Sequence, residues 1–273
     1  MKRIFCNILI AALISCVTAF GQNQTITSAL ESCFNRIAAT RDDSERIRIN
    51  DSVIYIIDEY SRSDSVISHR FSSIRNLGQI TSPDRKVKII TWNLTMADGS
   101  NKYYCYIIGN EQRGKQLRVY KMTGISSHDT IRTDILYTTE NWYGALYYDI
   151  RPFRTGRQTC YLLLGLDYHD LSLTRKIIEI LSFEPDGEII FGRNCFAEGD
   201  RIKSREVIEY SSEGVVTLRF ANDRAVVFDH LVPISSDKRN DRQYFGAEFS
   251  YDAYLFRNGI WRFVRDFDIK NKK

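Results

Sequence analysis

The sequence predicts a mainly β protein with an N-terminal helical segment, its strands running as an antiparallel meander that forms a sandwich or barrel. Three observations carry that prediction. Apolar residues recur at three- and four-residue steps between residues 25 and 78, the period changes to two from Pro83 onward, and turn-forming residues separate the period-two runs. The expected organisation is a leader over 1–21, the helical segment over 22–82 and the β domain over 83–273.

The leader reads as a secretory signal. Lys2 and Arg3 precede an apolar run from Ile4 to Phe20, and the small residues Ala19 and Gly21 place cleavage after Gly21. Asn7 and Ser15 interrupt the run, which falls short of the roughly 20 residues a bilayer span needs. One alternative stays open: Leu13-Ile14-Ser15-Cys16 resembles a lipobox, which would make the product a lipoprotein acylated at Cys16. The expected localisation is therefore export, to the periplasm or the cell surface, with no transmembrane segment once the signal is removed.

Three helices are expected next. Ile26, Leu30, Cys33, Phe34 and Ile37 share the face of the first, with Ser28 and Glu31 spaced as a capping box. Asp42-Asp43-Ser44 supplies cap candidates for a second, whose inward face is Ile49, Val53, Ile56, Ile57 and Tyr60. Ser63-Asp64-Ser65 is read as the start of a third, with Ile67, Phe71 and Ile74 inward and Gly78 as its stop.

Beyond Pro83 the strand-like runs are VKIITW, YYCYII, LRVYKM, ALYYDI, CYLLLGL, KIIEILSF, EIIF, EVIEY, VVTLRF, AVVFDHL, YLF and IWRFV. Asn258-Gly259 is the pair a type I′ hairpin turn demands, because both positions need positive φ. Pro185-Asp186-Gly187 and Ser212-Glu213-Gly214 are turns whose glycine can take the left-handed position. Helix–strand alternation is absent, which argues against a parallel α/β sheet. A propeller-like β domain is the alternative architecture, although no period of 40–50 residues stands out.

Charge excludes one class of partner. Loss of Lys2 and Arg3 with the leader lowers the formal net charge from +4 to +2, and the charges are interspersed. Nucleic-acid binding wants a clustered basic face and is not expected. Cys33, Cys105, Cys160 and Cys195 remain after cleavage; either they pair as disulfides in an oxidising compartment or they pack as buried thiols. Their spacing forms no zinc knuckle, and no cofactor is expected.

WYGALYYDI (142–150), YLLLGLD (161–167), KIIEILSFEPDGEIIFG (176–192), DHLVP (229–233) and FSYDAYLF (249–256) together resemble a family of exported Bacteroidetes-type proteins with no assigned activity. The likeness covers most of residues 83–268. It implies export and one continuous β domain, and no particular chemistry.

Candidate sites come from the residues themselves. Asp167-Tyr168-His169-Asp170 places two carboxylates where calcium, a hard cation outside cells, would find oxygen ligands at Asp167 and Asp170; the competing role is a polar turn. His230 follows Asp229, but neighbours on a strand face opposite ways, so its partner must come from elsewhere, such as His169 or His128. Trp142, Tyr143, Tyr147 and Tyr148 form an aromatic cluster suited to stacking on sugar rings or peptide side chains, against the ordinary role of rings as core. With His169 and His230 they make up the expected binding set. There is no G-x-S-x-G elbow and no H-E-x-x-H helix. The expectation is an envelope protein, a non-enzymatic binding or assembly module for another protein or a glycan. The alternative is a hydrolase of envelope or extracellular polymer using Asp167 or Asp170 with His169 or His230.

Overall fold

The computed structural model describes residues 24–109, 117–125 and 130–268. The expected signal, Cys16 and His128 lie outside the described residues. The chain divides into two compact units, one through Asn76 and one from Leu77 on, so the boundary falls ahead of the expected Pro83.

In the first unit, helix α1 spans 24–39 and helix α2 spans Asp43–Ser61. Leu30, Cys33 and Phe34 of α1 are buried, as their spacing predicts. Ser28 is a correction: it lies within the helix and its Oγ donates to the carbonyl of Gln24 at 3.1 Å instead of capping a helix start. Asp42 caps α2 as expected, accepting from the backbone N–H of Ser44 at 2.8 Å, and Ile49, Val53, Ile57 and Tyr60 are buried. No third helix forms over 63–74, where residues 62–68 are turns. Serine hydroxyls bond nearby carbonyls there, Ser61 to Asp58 and Ser68 to Ser65, and this competes with helix propagation. Neither described helix is long and apolar enough to cross a membrane.

The second unit is mainly β, and every predicted run overlaps a strand, although Val215-Val216-Thr217 of VVTLRF precedes its strand. The strands are β1 (Gly78–Thr81), β2 (Val87–Thr95), β3 (Asn101–Gly109), β4 (Arg118–Ile125), β5 (Leu146–Thr155), β6 (Gln158–Asp167), β7 (Leu173–Phe183) and β8 (Ile189–Phe191). They continue with β9 (Phe196–Glu198), β10 (Arg201–Lys203), β11 (Glu206–Ser211), β12 (Leu218–Asn222), β13 (Ala225–Pro233), β14 (Phe245–Arg257) and β15 (Ile260–Val264). The pairing is antiparallel except between β15 and β9. The Asn258-Gly259 turn is as expected, with φ of 52° and 83°, and Gly187 is left-handed at 92°.

Neither a closed barrel nor a propeller results. Three sheets stack in layers: β1-β2-β3-β4, then a middle sheet β11-β7-β6-β5 with β8 added to β7, then β10-β9-β15-β14-β13-β12. Alternate residues of the middle strands serve two cores. Tyr161, Leu163, Ile177 and Leu181 pack with Ile89, Tyr103 and Cys105 of the first sheet. Cys160, Leu162, Leu164, Ile178 and Ile180 pack with Phe196, Val226, Tyr254 and Trp261 of the third. Burial on both faces explains why CYLLLGL reads as a continuous apolar run instead of an alternation. The chain builds the first sheet, then β5–β8, runs into the third through β9 and β10, returns as β11 and leaves again as β12, so the meander is broken twice.

Candidate functional site

The four thiols are free and buried, so none forms a disulfide. Burial pushes the Cys195 thiol up to about 12, far from a reactive thiolate.

Two of the four residues of the expected aromatic platform are core, Tyr143 is partly buried and Tyr148 is exposed. Trp142 and Tyr147 are buried, and the indole Nε1 of Trp142 donates to the Tyr147 hydroxyl at 3.1 Å. Tyr143 donates to Glu179 at 2.9 Å, and Glu179 forms a wholly buried ion pair of 2.7 Å with Arg205. Arg205 also donates to the carbonyls of Arg132, Ile135 and Phe191 and lies 4.5 Å from the Tyr137 ring centroid. This is a structural knot that holds the 131–137 connection. Tyr148 points the opposite way from Tyr147, as alternation requires, and is the exposed member of the four; its hydroxyl donates to the Leu218 carbonyl and Lys176 sits over its ring.

Asp167 and His169 do come together, around a cation the sequence reading missed. Arg175 of β7 is the cross-strand partner of both Asp167 on β6 and Glu209 on β11. Its guanidinium reaches Asp167 at 3.4 Å, Glu209 at 2.9 Å and the Nδ1 of His169 at 2.9 Å. Since an arginine only donates, Nδ1 accepts and the proton sits on Nε2, 3.6 Å from Asp170. Tyr103 of β3 donates to the other Asp167 oxygen at 2.9 Å. Burial pushes Asp167 up to about 6, against the pull of Tyr103 and Arg175. For Asp170 burial works in the same upward sense but is outweighed: the backbone N–H groups of Ser172 and Leu173 hold it below its ordinary value. A guanidinium therefore fills the cation role proposed for calcium, and Asp170 serves its turn. No grouping of metal-ligating residues occurs among the described residues.

His230 has a different setting. It lies at an irregularity where β13 and β14 lose register, with Asp229 opposite Tyr251 and Leu231 opposite Ala247. As expected, Asp229 does not orient it; that carboxylate accepts from the Thr217 N–H. The partner is Asp252 on β14, 2.8 Å from Nδ1, while Nε2 lies 3.2 Å from the Arg265 guanidinium. Arg265 can only donate, so Nε2 accepts and Nδ1 carries the proton toward Asp252.

These residues line a cleft of about 590 Å³ between the β11 edge of the middle sheet and the third sheet. Its floor includes Phe228, Tyr254 and Phe263, three rings in mutual contact. Its carboxylates are engaged. Lys203 bridges Glu198 at 3.0 Å and Glu206 at 2.7 Å, Tyr254 also donates to Glu206, and Glu209 holds Arg175. Burial tends to lower Lys203, yet Glu206 and Glu198 together hold it above its ordinary value. Three further arginines line the cleft, Arg201, Arg242 and Arg265, and among the described residues none has a carboxylate partner. Arg242 lies over the Phe245 ring at 4.4 Å.

Of the four residues the hydrolase alternative needs, His230 lines the cleft, whereas Asp167, His169 and Asp170 do not. Sequence reasoning missed Asp252, Arg265, Arg242 and Lys203. Their signals are weak, since pairing across a sheet leaves no fixed spacing. Comparisons with family models, with curated proteins and with solved structures returned no match. What stands is a class of architecture, a three-layer β unit with a charged cleft over one sheet edge.

Proposed function

We propose that the protein is an exported, non-enzymatic binding module of the cell envelope, and that the cleft beneath Arg265 is where it binds. One observation carries the reading. Each of the cleft's carboxylates already has a cationic or donor partner, while its three remaining guanidinium groups have no anionic partner among the described residues, so the unpaired charge of the site is positive. Its groups are also poorly poised for chemistry. The His230 lone pair faces Arg265, the Tyr254 hydroxyl is given to Glu206, and burial raises that phenol far above its ordinary value. Export rests on the character of residues 1–21, and the resemblance to exported proteins supports the same compartment.

The test is amide chemical-shift mapping on the full mature chain with a mixed set of short oligosaccharides, dipeptides and small carboxylic acids at millimolar concentration. Shifts are expected to gather on Lys203, His230, Arg265 and Phe263, with every compound recovered intact. Shifts scattered over other surfaces, or appearance of a hydrolysis product, would overturn the reading.

A further inference from the structure

We infer that the ligand of this cleft is an acidic sugar, a hydroxylated ring bearing one carboxylate. The inference rests on the cleft being the binding site and adds what it recognises.

Three features converge on that chemistry. First, Arg201, Arg242 and Arg265 offer planar forks whose donors lack an anionic acceptor, and a guanidinium matches a carboxylate in bidentate fashion. Arg265 and Arg242 are exposed, and each has one contact that favours its place at the cleft, Arg265 with His230 and Arg242 with the Phe245 ring. Second, Glu198 and Glu206 spend one oxygen each, Oε2, on Lys203. Their Oε1 atoms accept no hydrogen bond among the described residues and are open to a ligand's donors. A ligand made only of anionic oxygens would be repelled by them, and an amine would be repelled by the arginines. Hydroxyl groups beside a carboxylate satisfy both. Third, Phe263 is half-buried against Tyr254 and Phe228, presenting an apolar ring at the cleft floor where the C–H face of a pyranose can lie. A volume of about 590 Å³ accommodates one or two such rings.

The experiment is calorimetric or shift-based titration of the full mature chain with glucuronate, glucose, acetate and inorganic phosphate in parallel. Glucuronate is expected to bind at least about tenfold more tightly than glucose or acetate, and Arg265→Gln to weaken it by about tenfold, the worth of one charged hydrogen bond. Arg219→Gln, an exposed arginine of β12 that does not line the cleft, is expected to leave binding unchanged. Equal binding of glucose removes the role of the arginines, and equal binding of acetate or phosphate removes the sugar. An unchanged affinity in Arg265→Gln moves the site elsewhere. If other compounds map to the cleft and glucuronate does not compete with them, this inference fails while the binding-module reading stands. If nothing maps to the cleft, both fail.

Discussion

Asp167 makes the fold sensitive to pH in a definite direction. Burial raises its carboxyl from 3.8 to about 6, although Tyr103 and Arg175 pull the other way. Between those two values the folded chain keeps a proton that the unfolded chain has released. The contribution of this group to stability is therefore greatest in acid and is lost as pH rises through that window, a difference on the order of 2–3 kcal/mol by pH 7. Asp167→Asn keeps an oxygen for Tyr103 and removes the titration. Denaturant midpoints measured from pH 4 to pH 7 are expected to improve for the variant relative to the wild type as pH rises; a constant difference would mean that the carboxyl titrates normally. Residues 167–170 were legible as a polar concentration, but the centre of the cluster was not. Arg175 and Glu179 do leave a trace in the sequence. They share parity with Ile177 and Leu181, so two charges stand on the inward side of a strand, where each must find a partner. What the sequence withholds is register, which decides that Arg175 meets Asp167 and Glu209 and that Arg205 meets Glu179.

Among the elements, long apolar runs announced themselves and short polar ones did not. β9 and β10 are three residues each, and Arg201-Ile202-Lys203 carries no alternation to notice, yet these strands supply part of the cleft wall. β1 begins at Gly78, the position expected to stop a third helix: Ile67, Phe71 and Ile74 have helical spacing, but the serines between them favour turns. The connection before β5 illustrates how a loop positions a site. Gly144 has φ of 95°, and a Cβ there would sit 2.6 Å from the Tyr103 ring, the ring whose hydroxyl binds Asp167. Gly144→Ala combines a strained backbone with a clash against an aromatic ring buried between two sheets. The expected loss is about 2–4 kcal/mol in equilibrium unfolding. A loss under about 0.5 kcal/mol would show that the connection moves freely and that Tyr103 is not held by it.

At the scale of the molecule, a middle sheet buried on both faces was written into YLLLGL and KIIEIL, runs with few polar interruptions. A sandwich has one buried face per sheet and leaves alternation; two buried faces erase it, so the stack of three follows from the same observation carried one step further. That stack leaves sheet edges, and β11 is the edge over which the charged cleft opens. Compartment matters to such a site, because a small polar cleft serves envelope chemistry if the chain reaches the envelope. Under the proposed export, Lys2 and Arg3, the apolar run to Phe20 and the small residues Ala19 and Gly21 would serve as the signal. Intact-mass measurement of protein recovered from its native envelope is expected to give a chain beginning at Gln22, carrying four free thiols, since Cys33, Cys105, Cys160 and Cys195 are all buried. A product beginning at an acylated Cys16 would replace secretion with anchoring and place the cleft at a membrane surface. A product retaining Met1 would remove the envelope from the proposal.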